Sequence, residues 1–429
     1  MKKCEIYYFR FENCKNKEEK LSLVENTKFK QLDFERIFPD KNNVWINQTD
    51  NDFETLLPVC DKQVKLGKNQ QAIFKLYTGA YKTNRDEWVI DLDKENLVKK
   101  IRHFIEKYNY QVDSNISDND FLDYSIKWSR DLKNKLYSKQ KIIFDENKVV
   151  EIIVRPFVKS NFYSEKILND VLTENHYKIS SPNLKKNNLI LTINEGGRLN
   201  LCVLVTKIIP SYSFYVLDAS QSIPLYIYDK DGNRHDNITD WALNEFKNHY
   251  QNEITKLDIF HYVYAVLHNP HYREKYEFNL KREFPRIPYY ENFAQWAEWG
   301  KQLMELHLNY ETAESYPLER HDLENAKIPK AKLKADKESG MIILDDNTHL
   351  SGVPSQAWDY KLGNRSALEW ILDQYKEKKP KDPTIAEKFN NYRFADYKEQ
   401  VIDLLMKVCA VSVKTMRIIN TIKKNQYSV

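Results

Sequence analysis

Over the first 115 residues, short runs in which apolar and polar positions alternate (CEIYYFRF, QAIFKLYT and EWVIDLD) are separated by charged turns, and this period of two predicts strands. A helical stretch from Glu95 to Tyr108 closes the segment. Beyond it Ser117 stands where an N-cap would, and Phe121, Tyr124, Trp128, Leu132 and Leu136 recur at helical spacing. That pattern predicts one amphipathic helix across the region. From about 141 to 230 the period returns to two in VVEIIVRPF, NNLILTI, LNLCVLVTKII and IPLYIYD, punctuated by the turn-forming NEGG and DKDGN. After Asn237 helical spacing resumes in WALNEFKNHY, in the long run from Asp258 to Phe284, and in ENFAQWAEWGKQLMELHLNYE. Pro285 and Pro288 separate the last two. Residues 320–338, with IPKAKLKADK, read as a polar surface loop, followed by a hairpin around Asp345-Asp346-Asn347. RSALEWILDQYKEK and a final stretch from about Asp396 to Lys423 complete the helical signals.

These signals give an α+β chain in three parts. Residues 1–115 form an α+β junctional segment, 116–236 a β-rich middle led by a basic helix, and 237–429 a helical half.

At 429 residues the chain holds enough sequence for two or three domains. Apolar residues at 41% and aromatics at 13% exclude disorder over most of that length. The 66 Lys and Arg against 62 Asp and Glu leave +4, so a nucleic-acid surface would have to come from local segregation of charge. The five cysteines are scattered and never paired as C-x-x-C, which argues against a disulfide framework or a cysteine zinc site and for a reducing, cytoplasmic compartment. No apolar run of signal-peptide or membrane-span length is expected to act as such.

The search for catalytic motifs returns no phosphate-binding G-x-x-x-x-G-K-[ST] loop, G-x-S-x-G elbow, H-E-x-x-H helix or EF-hand loop. No catalytic or metal-binding residue is assigned. Asn269-Pro270-His271-Tyr272 resembles the N-P-P-Y loop with which adenine methyltransferases hold a flipped base, but it follows an apolar helix and its second proline is His. It reads instead as a helix-to-helix corner. A nuclease centre at Pro39-Asp40 finds no acid-x-Lys partner on a convincing strand. Basic residues gather near 127–141, 273–286 and 327–337, and a further basic-aromatic stretch runs from Trp358 to Arg365. Such stretches track phosphates or form a solvated face, and composition leaves both open.

Several strings together resemble the C-terminal specificity region of type ISP single-polypeptide restriction-modification enzymes. They are TGAYKTNRDEWVID at 78–91, IKWSRDLK at 126–133, RPF at 155–157, PLYIY at 224–228, the segment 258–290, GNRSALEWILDQY at 363–375 and VSVKT at 411–415. The resemblance implies that residues 1–115 correspond to the junction between methyltransferase and recognition domain, and that the remainder corresponds to the recognition domain. It implies double-stranded DNA as partner and, as further partners, separately encoded methyltransferase and helicase–nuclease domains. S-adenosylmethionine, ATP and Mg would belong to those other domains, with no cofactor in this chain.

On this reading Lys127, Arg130, Lys133, Lys281 and Arg282 are candidates for phosphate contacts, and Arg286, Asn364 and Arg365 for base readout. Asn84-Arg85-Asp86 is either a capped turn in which Arg85 pairs with Asp86 or a contact to DNA or a neighbouring domain. Trp128, Trp370 and the VYAVLH helix read as core. Two alternatives stand beside DNA reading: a subunit completing an adenine methyltransferase or restriction enzyme encoded separately, and a docking protein that binds subunits and no DNA.

Overall fold

The computed structural model describes residues 4–10, 17–39, 45, 51–114, 122–170, 172–180, 188–194, 197, 199–215, 219–323 and 329–425. The chain divides into two compact units, Met1–Glu54 and Thr55–Val429. In the first, Ile6–Tyr8 pairs antiparallel with Glu35–Ile37, and Lys17–Asn26 is helical. Phe34 gathers Phe9 and Phe29 at ring separations of 5.9 and 4.9 Å.

The second unit is built from small antiparallel sheets set among helices, an α+β architecture as the alternation predicts. One sheet orders Thr78–Gly79, Ser220–Pro224, Ile190–Asn194 and Val203–Thr206; another places Val158–Tyr163 between Ile90–Asp91 and Val149–Arg155. A third runs Glu319–Asp322, Thr348–Ser351, Met341–Asp345, Ala331–Asp336. Among the described residues, two of the unit's apolar cores meet at the strand Val149–Arg155, which faces both. Ile152 packs into the core around Trp88, Phe104 and Leu132, and Ile153 into the core around Trp358, Trp370 and Leu405. Successive side chains of a strand point to opposite faces, so one strand serves both.

The apolar helix Lys256–His268 lies against Phe293–Leu308 so closely that a Cβ at Gly300 would fall 1.8 Å from the His261 carbonyl oxygen. Only glycine allows that approach. The long helix Lys94–Asp113, capped by the Asp93 carboxylate on the Glu95 amide at 2.8 Å, buries Leu97, Ile101, Phe104 and Tyr108 along one side.

Four sequence expectations are corrected. Of the helix expected from Ser117 through Leu136, the described residues from 122 on form only Arg130–Tyr137; Ser117 and Phe121 lie outside the described residues. Residues 122–129 are turn and coil because the Asp123 side chain accepts the Ser125 amide at 2.9 Å, and its carbonyl accepts the Trp128 indole at 3.0 Å. Ser129 then caps the helix on Leu132 at 3.2 Å. Within 320–338, Glu319–Asp322 and Ala331–Asp336 are strands, residues 324–328 being outside the described set. The alternation Ala331-Lys332-Leu333-Lys334-Ala335 buries Leu333 and exposes Lys332 and Lys334, so the lysines that suggested a loop are the outer face of an edge strand. QAIFKLYT is irregular apart from an isolated bridge at Phe74 and the strand residue Thr78, with Leu76 held on both backbone groups by the Asn237 side chain at 2.8 and 2.9 Å. EWVIDLD opens with the helical turn Asp86–Val89 before its strand Ile90–Asp91.

Candidate nucleic-acid interface

Asn84, at φ 55°, occupies the left-handed region that Asn tolerates better than most residues. Its amide donates to Asp170. Arg85 is 1% exposed and points inward, donating to the Leu168 carbonyl and, at 2.8 Å, to the Ser129 hydroxyl, which itself donates to Asp170 at 3.0 Å. Burial lowers the Arg85 pKa to about 10, and the Asp170 charge resists that shift. Arg85 therefore does not pair with Asp86, which accepts the Thr83 hydroxyl instead. One buried network thus fixes both Asn84 and the cap of the 130–137 helix.

The next turn grips a segment almost 300 residues away. Glu87 accepts the amides of Lys381 and Asp382 at 3.0 and 2.9 Å, and the Trp88 indole donates to Asp382 at 2.7 Å. Between these pieces opens a cleft of about 580 Å³, whose walls include Asn84, Asp86, Lys127, Tyr212, Ser213 and Lys381.

Asn364 is exposed at the tip of the hairpin Lys361–Leu362/Arg365–Ser366. Gly363, at φ 77°, supplies the positive φ that such a two-residue turn needs. Arg365 lies over the Trp370 ring at 4.9 Å and 3.4 Å from Asp373, so its guanidinium is held in place from two sides. Arg155, in the RPF string, connects hairpin and cleft. Burial lowers its pKa, Asp86 and Asp373 oppose the shift, and Arg365 adds to it. The loop carrying Tyr212 and Ser213 continues to Tyr215, whose carbonyl lies 3.8 Å from where a Gly363 Cβ would be; Leu199 Cδ1 is 3.5 Å from the same point.

Lys281 and Arg282 line a second cleft of about 310 Å³ with Asn194, Gly197 and Leu201, and the Gly197 amide donates to the Lys281 carbonyl at 2.8 Å. Gly197, residues 199–202 and residues 211–215 therefore link the candidates at 84–86 and 127, those at 364–365 and those at 281–282 through successive contacts. Lys281 pairs with Glu277 at 2.6 Å; Arg286 sits on a strand beside Pro58 with its guanidinium 3.7 Å from Glu283. Arg130 is exposed at the start of its helix and Lys133 is half-buried. Asn269 is fully buried: its side chain caps Pro270–Lys275 through the His271 amide at 3.0 Å and donates to the Tyr290 hydroxyl at 3.1 Å, so the N-P-H-Y tetrad is a helix corner.

Lys82, Arg155, Tyr212, Ser213 and Lys381 escaped sequence reasoning as site residues. Only Asp382-Pro383, an N-cap ahead of a proline at the first helical position, carried a readable local signal, and it concerned the helix Pro383–Lys388 rather than the cleft. Among the described residues no group of three or more His, Cys, Asp and Glu is placed to hold a metal, and no helix is long and apolar enough to cross a membrane.

Polar loops converging over a scaffold of small sheets and helices are the build of a recognition module rather than of a doubly wound catalytic fold. The chain belongs to the type ISP C-terminal specificity domain family, whose model matches residues 72–404. Among solved structures it is similar to DrdV in a cryoEM complex with DNA, with TM-score 0.84 and 41% identity over 97% of this chain and 43% of that one. It is also similar to a nuclease-deletion mutant of the type ISP restriction-modification enzyme LlaGI in complex with a DNA substrate mimic, with TM-score 0.76, 28% identity, and coverage of 97% and 39%. The ATP-dependent type ISP enzyme LlaBIII bound to DNA gives TM-score 0.78, 25% identity, and coverage of 97% and 27%. The chain thus spans less than half the length of each of these proteins. No curated protein matches it.

Proposed function

We propose that this chain binds double-stranded DNA sequence-specifically, as the target-recognition module of a type ISP-like restriction-modification system. The observation that carries the reading is that residues 72–404 are a type ISP specificity domain, the relatives named above having been solved with DNA or a DNA mimic. Lys127, Arg130, Lys133, Lys281 and Arg282 position the backbone; Arg286, Asn364 and Arg365 read bases. Arg365 suits that role because Trp370 and Asp373 orient its fork before DNA arrives. Methyltransferase and helicase–nuclease domains are the partners in this scheme.

Selection from a random duplex pool tests it. One short site is expected to enrich and to bind at least about 10³-fold more tightly than the pool. Equal affinity for pool and enriched sequence would refute specificity. Replacing Arg365 with Ala should relax preference at one position by roughly 1–3 kcal/mol and leave the others intact.

A further inference from the structure

We infer that the cleft between the 82–88 segment, Lys127, Tyr212-Ser213 and Lys381 is a phosphate-gripping site, made for two or three successive phosphate groups. The inference deepens the DNA reading and rests on it for the source of those phosphates. It does not rest on it for the chemistry.

The cleft has three carboxylates and three ammonium groups among its walls, and the Arg85 guanidinium beside them is turned inward onto Leu168 and Ser129, so formal charge says little about its ligand. The hydrogen-bonding commitments decide. Glu87 is taken by two backbone amides, and Asp382 by the Trp88 indole and by the amides of Thr384 at 3.0 Å and Ile385 at 3.2 Å at the start of a helix, where the dipole offsets its charge. Asp86 is taken by the Thr83 hydroxyl and lies near the Arg155 charge. Each acid is therefore turned onto protein donors.

The lysines are not so committed. Lys82, Lys127 and Lys381 are all exposed, and among the described residues none has a carboxylate within ion-pair distance; Lys82 only overhangs the Tyr212 ring at 5.6 Å. A ligand entering the cleft meets ammonium donors, the Ser213 hydroxyl and an aromatic face, and the acids have little left to offer it. That combination suits a phosphodiester strand with a base against Tyr212, and equally a free polyphosphate.

The test uses the chain as it stands, with K82Q, K127Q and K381Q alone and combined, and thermal unfolding to verify the fold. Two probes are titrated by anisotropy and calorimetry: a random-sequence duplex over a range of salt, and inorganic tripolyphosphate. If DNA supplies the phosphates, the triple variant lowers the slope of log affinity against log salt by about 2–3, each single variant by about 1. Tripolyphosphate should compete with DNA on the parent chain only. If tripolyphosphate binding is lost in the triple variant and DNA binding is not, the site stands and its ligand is a free polyphosphate. A parent chain that binds tripolyphosphate through these lysines but no DNA would sink the DNA reading and leave the site. Unchanged slope and unchanged tripolyphosphate binding in the triple variant overturn the inference and leave the DNA reading standing.

Discussion

The segment from Arg273 to Arg286 and the cleft at 82–88 make an instructive pair. The first is the most conspicuous basic run in its half of the chain, yet most of its cations are engaged. Arg273 donates to the Leu267 carbonyl at 2.6 Å at the end of the apolar helix, Lys275 lies 5.0 Å over Tyr276, Lys281 pairs with Glu277, and Arg286 with Glu283. Arg282 alone of the five lacks such a partner among the described residues. The cleft draws its lysines from positions 82, 127 and 381, which no sequence window would join, and among the described residues none of the three has a carboxylate within ion-pair distance. A basic run is a statement about composition; an available cation is a statement about neighbours.

The contrast can be tested hardest through acid. His268 and His307 are buried in the two helices that carry the first region. Burial holds both rings neutral, lowering His307 to about 3 and His268 well below its ordinary value. A base whose folded pKa is depressed takes up protons more readily when unfolded. Its stabilising contribution is therefore complete above the unfolded value near 6.5 and lost as pH falls toward the folded one. His307 should cost roughly 1.4 kcal/mol per pH unit below 6.5, about 2 kcal/mol at pH 5, and His268 should add a loss of the same sign. Urea unfolding at pH 7 and pH 5 measures this, and His307→Gln should reduce the pH dependence by about 2 kcal/mol over that interval. A flat profile would show that these rings are not neutral, buried supports.

The second prediction strikes the cleft. Asp170→Ala leaves Arg85 buried beside a hydroxyl and a carbonyl, with only the lesser influence of Asp131 to balance it, and should cost about 3 kcal/mol. DNA affinity should fall with it, because Asn84 and the Ser129 cap both lean on that carboxylate. A loss under about 1 kcal/mol would mean that the network does not hold the cleft.

The smallest effect separates neighbours within the first region. Arg282→Gln should lower the salt slope of DNA binding by about 1, and Lys281→Gln by less, since that ammonium reaches a phosphate only by giving up part of its 2.6 Å pairing with Glu277. Equal effects would show that an i,i+4 pair opens freely for DNA, erasing the distinction between engaged and available cations.

Much of the fold was legible along the chain because its signals are local. The corner at Asn269-Pro270, the helices Asp240–Tyr250 and Phe293–Leu308, the hairpin at Asp345–Thr348 and the buried Trp370 all follow from spacing, caps and turn residues read within a window of about a dozen positions. The misreadings share a cause. The region before Arg130 has helical spacing but loses to a serine cap that a distant arginine and aspartate hold. The lysine-rich strand Ala331–Asp336 becomes ordered by pairing with Met341–Asp345, a partner no local propensity shows.

By itself the sequence determined the class of the protein, the helices with strong caps, the position of its apolar stretches and its likeness to a specificity domain, because periodicity and motif strings are properties of neighbours in the chain. The tertiary structure alone decided which charges are available. It buried Arg85 against Asp170 through Ser129, tied Arg365 to Trp370 and Asp373, and brought Lys82, Lys127 and Lys381 to one cleft. A charge acts through what surrounds it in space, and those surroundings are assembled from residues tens to hundreds of positions apart.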